Sequence, residues 1–284
     1  MSPPTARPPA PDAFARLRSM TTARVGLGRS GDGLPTAPLL AFQLAHAAAR
    51  DAVHARLDAD RLAAALAPFP TIEVASQAGD RATYLRRPDL GRRLGAEGTA
   101  RLAPGDWDLA IVAADGLSAT AAQAHAPPLI AALADRLGGW RIAPIVIAAQ
   151  ARVALGDEIG AGLGARMVLV LIGERPGLSA PDSLGAYLTW RPVVGTPDSA
   201  RNCVSNIRPP HGLGYVAAAD TLAWLITEAR ARGLTGVALK DERSIGAVTP
   251  GLVPGAREHE RRALSHRATT SPPMIPRPRD KPGG

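Results

Sequence analysis

The sequence predicts an α/β protein: a Rossmann-like, three-layer parallel sheet flanked by helices, preceded by a small helical N-terminal domain. Three observations carry this. Between Asp108 and Lys240 the chain repeats one plan, an aliphatic run that stops in polar or turn residues: LAIVAADGLS, PIVIAAQARV, MVLVLIGERPG and GVALKDE. Continuous apolar runs of that kind suit strands covered on both faces, as parallel sheets require. The intervening LSATAAQAHAPPLIAALADRL and GDEIGAGLGARM are helical in pattern and long enough to serve as crossovers. The segment before residue 100 is mostly helical in pattern, which sets a helical domain ahead of the sheet.

Taken in order, Pro11 to Arg18 fits a short amphipathic helix with Phe14 and Leu17 on one face. Residues 25–36, VGLGRSGDGLPT, form a glycine-rich loop. Thr36 and Pro38 then open a helix running to about Leu57, with Leu40, Leu44 and Ala47 or Ala48 at helical spacing. A second helix follows over Asp60 to Ala67, then a short strand, TIEVAS, over residues 71–76. RATYLRRPDLGRRL is basic and broken by Pro88. Beyond the four repeated runs, AYLTW adds a strand. The chain therefore divides into a largely disordered basic, proline-rich tail with a short helix (1–24), a helical domain (25–100), a Rossmann-like domain (101–242) and a second disordered tail (243–284).

The strand ends set Asp115, Gln150 with Val153, Glu174 with Arg175, and Lys240 with Asp241 on one rim, where ligands of open α/β sheets bind. Net charge is +8, but the tails hold all of it. Residues 1–24 carry four Arg against one Asp, and residues 243–284 carry eight Lys or Arg against three acids. The body balances, so it has no field to attract a phosphate backbone, and no nucleic-acid partner is expected. No apolar run has the length a bilayer demands, and a single cysteine, Cys203, fits a reducing, cytoplasmic setting.

Most catalytic motifs are absent. Gly26-Leu-Gly-Arg-Ser-Gly31 matches the dinucleotide fingerprint, but no buried strand precedes it and Pro35 interrupts the helix start, so a plain loop is the better reading. There is no nucleophile elbow and no P-loop, and His259-Glu260 lacks a second histidine at zinc spacing. His46, His54 and His125 read as structural or solvated. Ser118 reads as the cap of the helix after Asp115. Arg81, Arg86, Arg87, Arg92 and Arg93 read as a solvated or subunit-facing basic surface. Cys203, in SARNCVSNIRP, is too polar in its surroundings for a routine buried thiol.

LGRSGDGLPTAPLLAFQLAHAAARDAVH, RPDLGRRL, DLAIVAADGLSA, RVALGDEIG, LIGERPGLSAPDSLGAYLTW and RNCVSNIRP together closely resemble the small subunit of ethanolamine ammonia-lyase, over about residues 12–242. The resemblance implies a lyase yielding acetaldehyde and ammonia, with adenosylcobalamin bound base-on at the interface to a TIM-barrel large subunit in a hetero-oligomer. Matched motif by motif, the family's cobalamin contacts fall on Val153, Glu174 and Cys203, with no catalytic group and no metal ligand in this chain. Cytoplasm is the implied location, with a bacterial microcompartment as the other address. Two rivals stand beside it: a self-sufficient nicotinamide enzyme using the glycine loop, and a nucleic-acid binder using the basic tails.

Overall fold

A computed structural model describes residues 12–21, 23–241 and 243. The described residues up to Asp241 belong to one compact unit. The expectation of disorder over 1–11 and 244–284 lies outside the described residues.

Six strands form one sheet: β1 (Thr71–Ala75), β2 (Leu109–Ala114), β3 (Ile145–Ala149), β4 (Met167–Gly173), β5 (Leu184–Trp190) and β6 (Arg201–Ile207), in the order β1-β3-β2-β4-β5-β6. The first four are parallel to one another. β5 runs antiparallel to β4, and β6 antiparallel to β5, which corrects the all-parallel expectation. The cause is connection length: only residues 174–183 join β4 to β5, too few for the helical crossover a parallel neighbour needs. β1 lies within the segment 25–100, yet it is an edge strand of this sheet.

Alternation within the buried strands sends side chains to two separate cores. Leu109, Ile111, Leu169 and Leu171 face the helices α3 (Ala59–Ala65), α6 (Ala119–Ala134) and α8 (Tyr215–Arg232). Ala110, Val112, Val168 and Val170 face the opposite side, covered by α7 (Leu155–Gly162). α7 lies flush because its facing residues are glycines: a Cβ on Gly156 would stand 2.3 Å from Val170 Cγ2, and one on Gly160 would stand 2.6 Å from Pro192 Cγ. Ser118 caps α6 as read, accepting from Ala121 N.

Ahead of the sheet come α1 (Ala15–Met20) and α2 (Thr36–His54), with α4 (Arg81–Arg86) and α5 (Ala96–Arg101) following β1. α2 buries only Ala52; its apolar stripe is open, with Leu40 58% and Leu44 72% exposed. GVALKDE, expected as a strand, is instead a 3₁₀ turn over Gly236–Ala238. It is held by the Asn202 amide, which donates to Gly236 O and Leu239 O rather than joining a ladder. Lys240 and Asp241 therefore terminate no strand. Among the described residues no helix is long and apolar enough to cross a membrane.

Candidate functional site

Three parallel strands end side by side at Asp115, Gln150 and Glu174, and the rim above them is built around a buried carboxylate. Asp115 accepts from the backbone N–H groups of Gln150 (2.8 Å) and Ala151 (3.0 Å), and Arg81 Nη1 lies 3.3 Å away. Burial pushes the Asp115 carboxyl up, against the pull of those donors and of Arg81. Arg81 is itself buried, donating to Val53 O and Gly116 O, so its expected place on a solvated surface is corrected. Desolvation of a guanidinium is tolerated only where a counter-charge and carbonyls meet it, and Asp115 supplies the former. Gln150 takes a positive φ of 54°, a costly conformation for a side chain of its kind, fixed here by the Asp115 bond.

The next strand end approaches backbone to backbone. Gly116 has φ +54°, and a Cβ there would lie 2.2 Å from Gly173 O; a Cβ on Gly173 would lie 2.0 Å from Ser118 O. Leu117 N donates to Gly173 O at 2.9 Å. Only glycine fits at either place, and the pair aims the chain at Glu174. The Glu174 carboxylate accepts from Ser183 Oγ and Ser205 Oγ, each at 2.5 Å, and from Asn206 N at 3.4 Å. It thus ties the β4–β5 connection to the far edge strand. A carboxylate offers about four lone-pair directions, so acceptor capacity remains.

Of the three residues nominated from separate motifs, Val153 and Glu174 line one cavity of a groove on the α7 side of the sheet, whereas Cys203 lines neither of its cavities and stands beside them on β6, paired with Tyr187. A cavity of about 810 Å³ lies between the 89–93 segment, the start of α7 and the 194–198 loop, and one of about 400 Å³ lies beneath Glu174 and Ser205. Arg152, Val153 and Tyr187 line both. Cys203 pairs with Tyr187 across the β5–β6 ladder. Desolvation raises the thiol above its ordinary range, the Tyr187 hydroxyl opposes this, and the Glu174 charge adds to it. Tyr187 is raised in turn, chiefly by burial and then by Cys203. Cys203 is exposed, as its polar neighbourhood suggested.

A second buried charge pair holds the groove's outer lip. Arg201, at the start of β6, clasps Asp157 of α7 through both terminal nitrogens at 2.6 and 2.7 Å, and also donates to Thr189 Oγ1 and Thr196 O. Neither member of this pair was read from the sequence; Asp157 sits in an apolar helix face, which was the available signal. Glu158, on the next turn position, accepts from Arg93 and from Leu94 N, anchoring the opposite lip. The residues of the glycine loop lie away from these bonds, with Gly26, Gly28 and Gly31 at positive φ and no strand before them among the described residues. His46 and His54 are exposed and His125 is buried, bonded to Tyr215. Among the described residues no three His, Cys, Asp or Glu side chains form a metal-holding group.

The two cavities mix apolar side chains such as Val153 and Tyr187 with charged ones such as Arg92, Arg152 and Glu174, a lining able to hold a ligand with both kinds of surface. The family model for the ethanolamine ammonia-lyase light chain matches residues 11–240. The ethanolamine ammonia-lyase small subunit of Ralstonia nicotianae is 53% identical over 245 residues, 83% of this chain and 90% of the relative. That of Azotobacter vinelandii is 53% identical over 250 residues (84% and 92%), and that of Bradyrhizobium diazoefficiens is 55% identical over 248 residues (82% and 95%).

Proposed function

The chain belongs to the ethanolamine ammonia-lyase light-chain family, and we propose that it lends one wall of an adenosylcobalamin site to a TIM-barrel large subunit in a hetero-oligomer that splits ethanolamine into acetaldehyde and ammonia. What supports this reading is that Val153 and Glu174 line one cavity with Tyr187, and that Cys203 is the cross-strand neighbour of that tyrosine. The residues present suit the group. Val153 and the exposed Val194, 58% accessible, offer apolar contact to a corrin, and Glu174 retains acceptor capacity for its amides. Within this reading residues 101–242 carry the three named contacts, while the 25–100 segment lends Tyr84 and Arg92 to the same groove.

When bound, the cofactor supplies the radical chemistry through its cobalt–carbon bond, held base-on. This chain's residues bind, orient and exclude water: the valines and Tyr187 cover apolar surface, and the Arg201–Asp157 pair keeps the lip in place. No side chain here needs to move a proton. The uncovered apolar stripe of α2, with Leu40 and Leu44, supports an assembly surface for the partner subunit. The balanced charge of residues 25–242 supports a reading without nucleic acid. The same reading sets the complex in the cytoplasm or a bacterial microcompartment.

The test is co-expression with a large subunit. Acetaldehyde should form only when both chains and adenosylcobalamin are present, and turnover by this chain alone would sink the reading. In the complex, Val153→Asp sets a charge against apolar ligand surface and should raise the half-saturating cobalamin concentration by about tenfold or more, with assembly intact by size exclusion.

A further inference from the structure

Among the described residues Arg152, on the groove wall, has no counter-charge. Arg152 stands between Gln150 and α7, and its guanidinium carbon lies 4.5 Å from the centroid of the Tyr84 ring. Its backbone N–H donates to Gly91 O at 2.8 Å, and a Cβ on Gly91 would come within 3.0 Å of Arg152 Cγ and of the Tyr84 ring. The stem is therefore held on two sides. Arg152 Nε is buried without a hydrogen-bond partner, and among the described residues no acceptor is bonded to the rest of the head. The half-buried head lines both cavities.

Three of the four acids on the two cavity walls are held by other arginines, and the fourth, Glu174, by Ser183 and Ser205. Asp89 is held by Arg87 at 2.7 Å, Glu158 by Arg93 at 3.0 Å, and Asp198 by Arg201 at 3.4 Å. Arg152 and the exposed Arg92 are left without an acid of their own among the described residues. A guanidinium whose stem is fixed and whose donors are unused matches an oxyanion presenting two oxygens. Ring stacking alone would not bury a nitrogen; here Nε is sealed in without a partner while the residue lines both cavities.

We propose that Arg152 is the groove's anion-binding residue, and that it takes the phosphodiester of the bound cobalamin, the one peripheral group of that molecule carrying negative charge. This deepens the cofactor reading and rests on it. The assembled complex with its large subunit is titrated with cyanocobalamin and, separately, with dicyanocobinamide, which keeps the corrin and its amides but lacks the phosphodiester together with the ribose and benzimidazole it carries; binding is followed by visible absorbance. Arg152→Met should raise the cyanocobalamin Kd about tenfold, the scale of one charge-assisted bond, and leave the cobinamide Kd within about twofold of wild type. Arg152→Lys should recover part of the loss, since charge returns without the fork.

In the unaltered complex, raised sodium chloride should weaken cyanocobalamin binding more than cobinamide binding. Equal cyanocobalamin affinity in Arg152→Met, an equal loss for both ligands, or equal salt dependence for both overturns the assignment; the salt comparison decides the matter even if the Met variant fails to assemble. Failure of the unaltered complex to bind either ligand would instead overturn the underlying cofactor reading.

Discussion

Arg201 and Asp157 are both almost fully buried, and each would be an unpaired interior charge without the other. Removing one partner of such a pair costs about 3–5 kcal/mol, mostly the penalty of the charge left behind. Arg201→Ala should therefore lower the urea midpoint sharply, whereas Arg201→Met with Asp157→Leu should restore much of it; a double variant as unstable as the single one would mean the pair is held for its hydrogen bonds to Thr189 and Thr196. His125 permits a test with pH. It is buried in α6, with its Nδ1 2.8 Å from the Tyr215 hydroxyl, its Nε2 3.8 Å from Asp182, and Arg208 bonded to that same Asp182. Burial depresses its pKa, outweighing the pull of Asp182. The unfolded chain then binds a proton that the folded chain refuses, so stability should fall as pH drops through the unfolded value near 6.5. His125→Asn keeps an acceptor for Tyr215 and should flatten the melting-temperature decline between about pH 7.5 and 5.5; an unchanged decline would assign it to other groups. The strand ends set Val153 and Glu174 on the rim, and the family resemblance alone nominated them with Cys203 as cofactor contacts; Arg81 was not separable from its exposed neighbours, because nothing in a run of arginines marks the one that meets Asp115.

The elements were readable where burial leaves a plain pattern and obscured where a polar group substitutes for it. β2, β3 and β4 are unbroken aliphatic runs and were found within a residue or two. β6, RNCVSNI, was missed as a strand because it is an edge whose inward residues are Arg201, Val204 and Ile207, with a charge standing where an aliphatic is expected. GVALKDE failed the other way: its apolar triplet resembles a strand, but Gly236 has φ +85° and Asn202 occupies its polar groups. α7 is the element on which the site turns, since it starts just after Val153 and packs directly on β4. Gly156→Ala would drive a methyl into Val170, so the helix must lift. Overpacking of this kind costs about 1–3 kcal/mol, and lifting α7 moves Arg152 and Val153 with it. The expected result is a lower melting temperature together with weaker cobalamin binding by the complex, while Gly138→Ala, where a Cβ meets nothing within 4 Å, should do neither.

At the scale of the whole chain, charge and fold separate along the sequence. The family match ends at residue 240, and residues 25–242 carry no net charge, whereas 243–284 hold eight basic residues against three acids. An apolar core is built by periodic aliphatics, and a proline-rich segment such as SPPMIPRPRDKPGG has none to contribute. Deleting residues 244–284, which spares Arg243, should leave the melting temperature, assembly with the large subunit and cobalamin affinity unchanged. It should also weaken retention on heparin, since the deletion removes seven basic residues and three acids. A fall in melting temperature of several degrees, or loss of the large subunit on size exclusion, would show that the basic segment is part of the assembly; unchanged heparin retention would mean that the positive face lies on the folded body, contrary to its balanced composition.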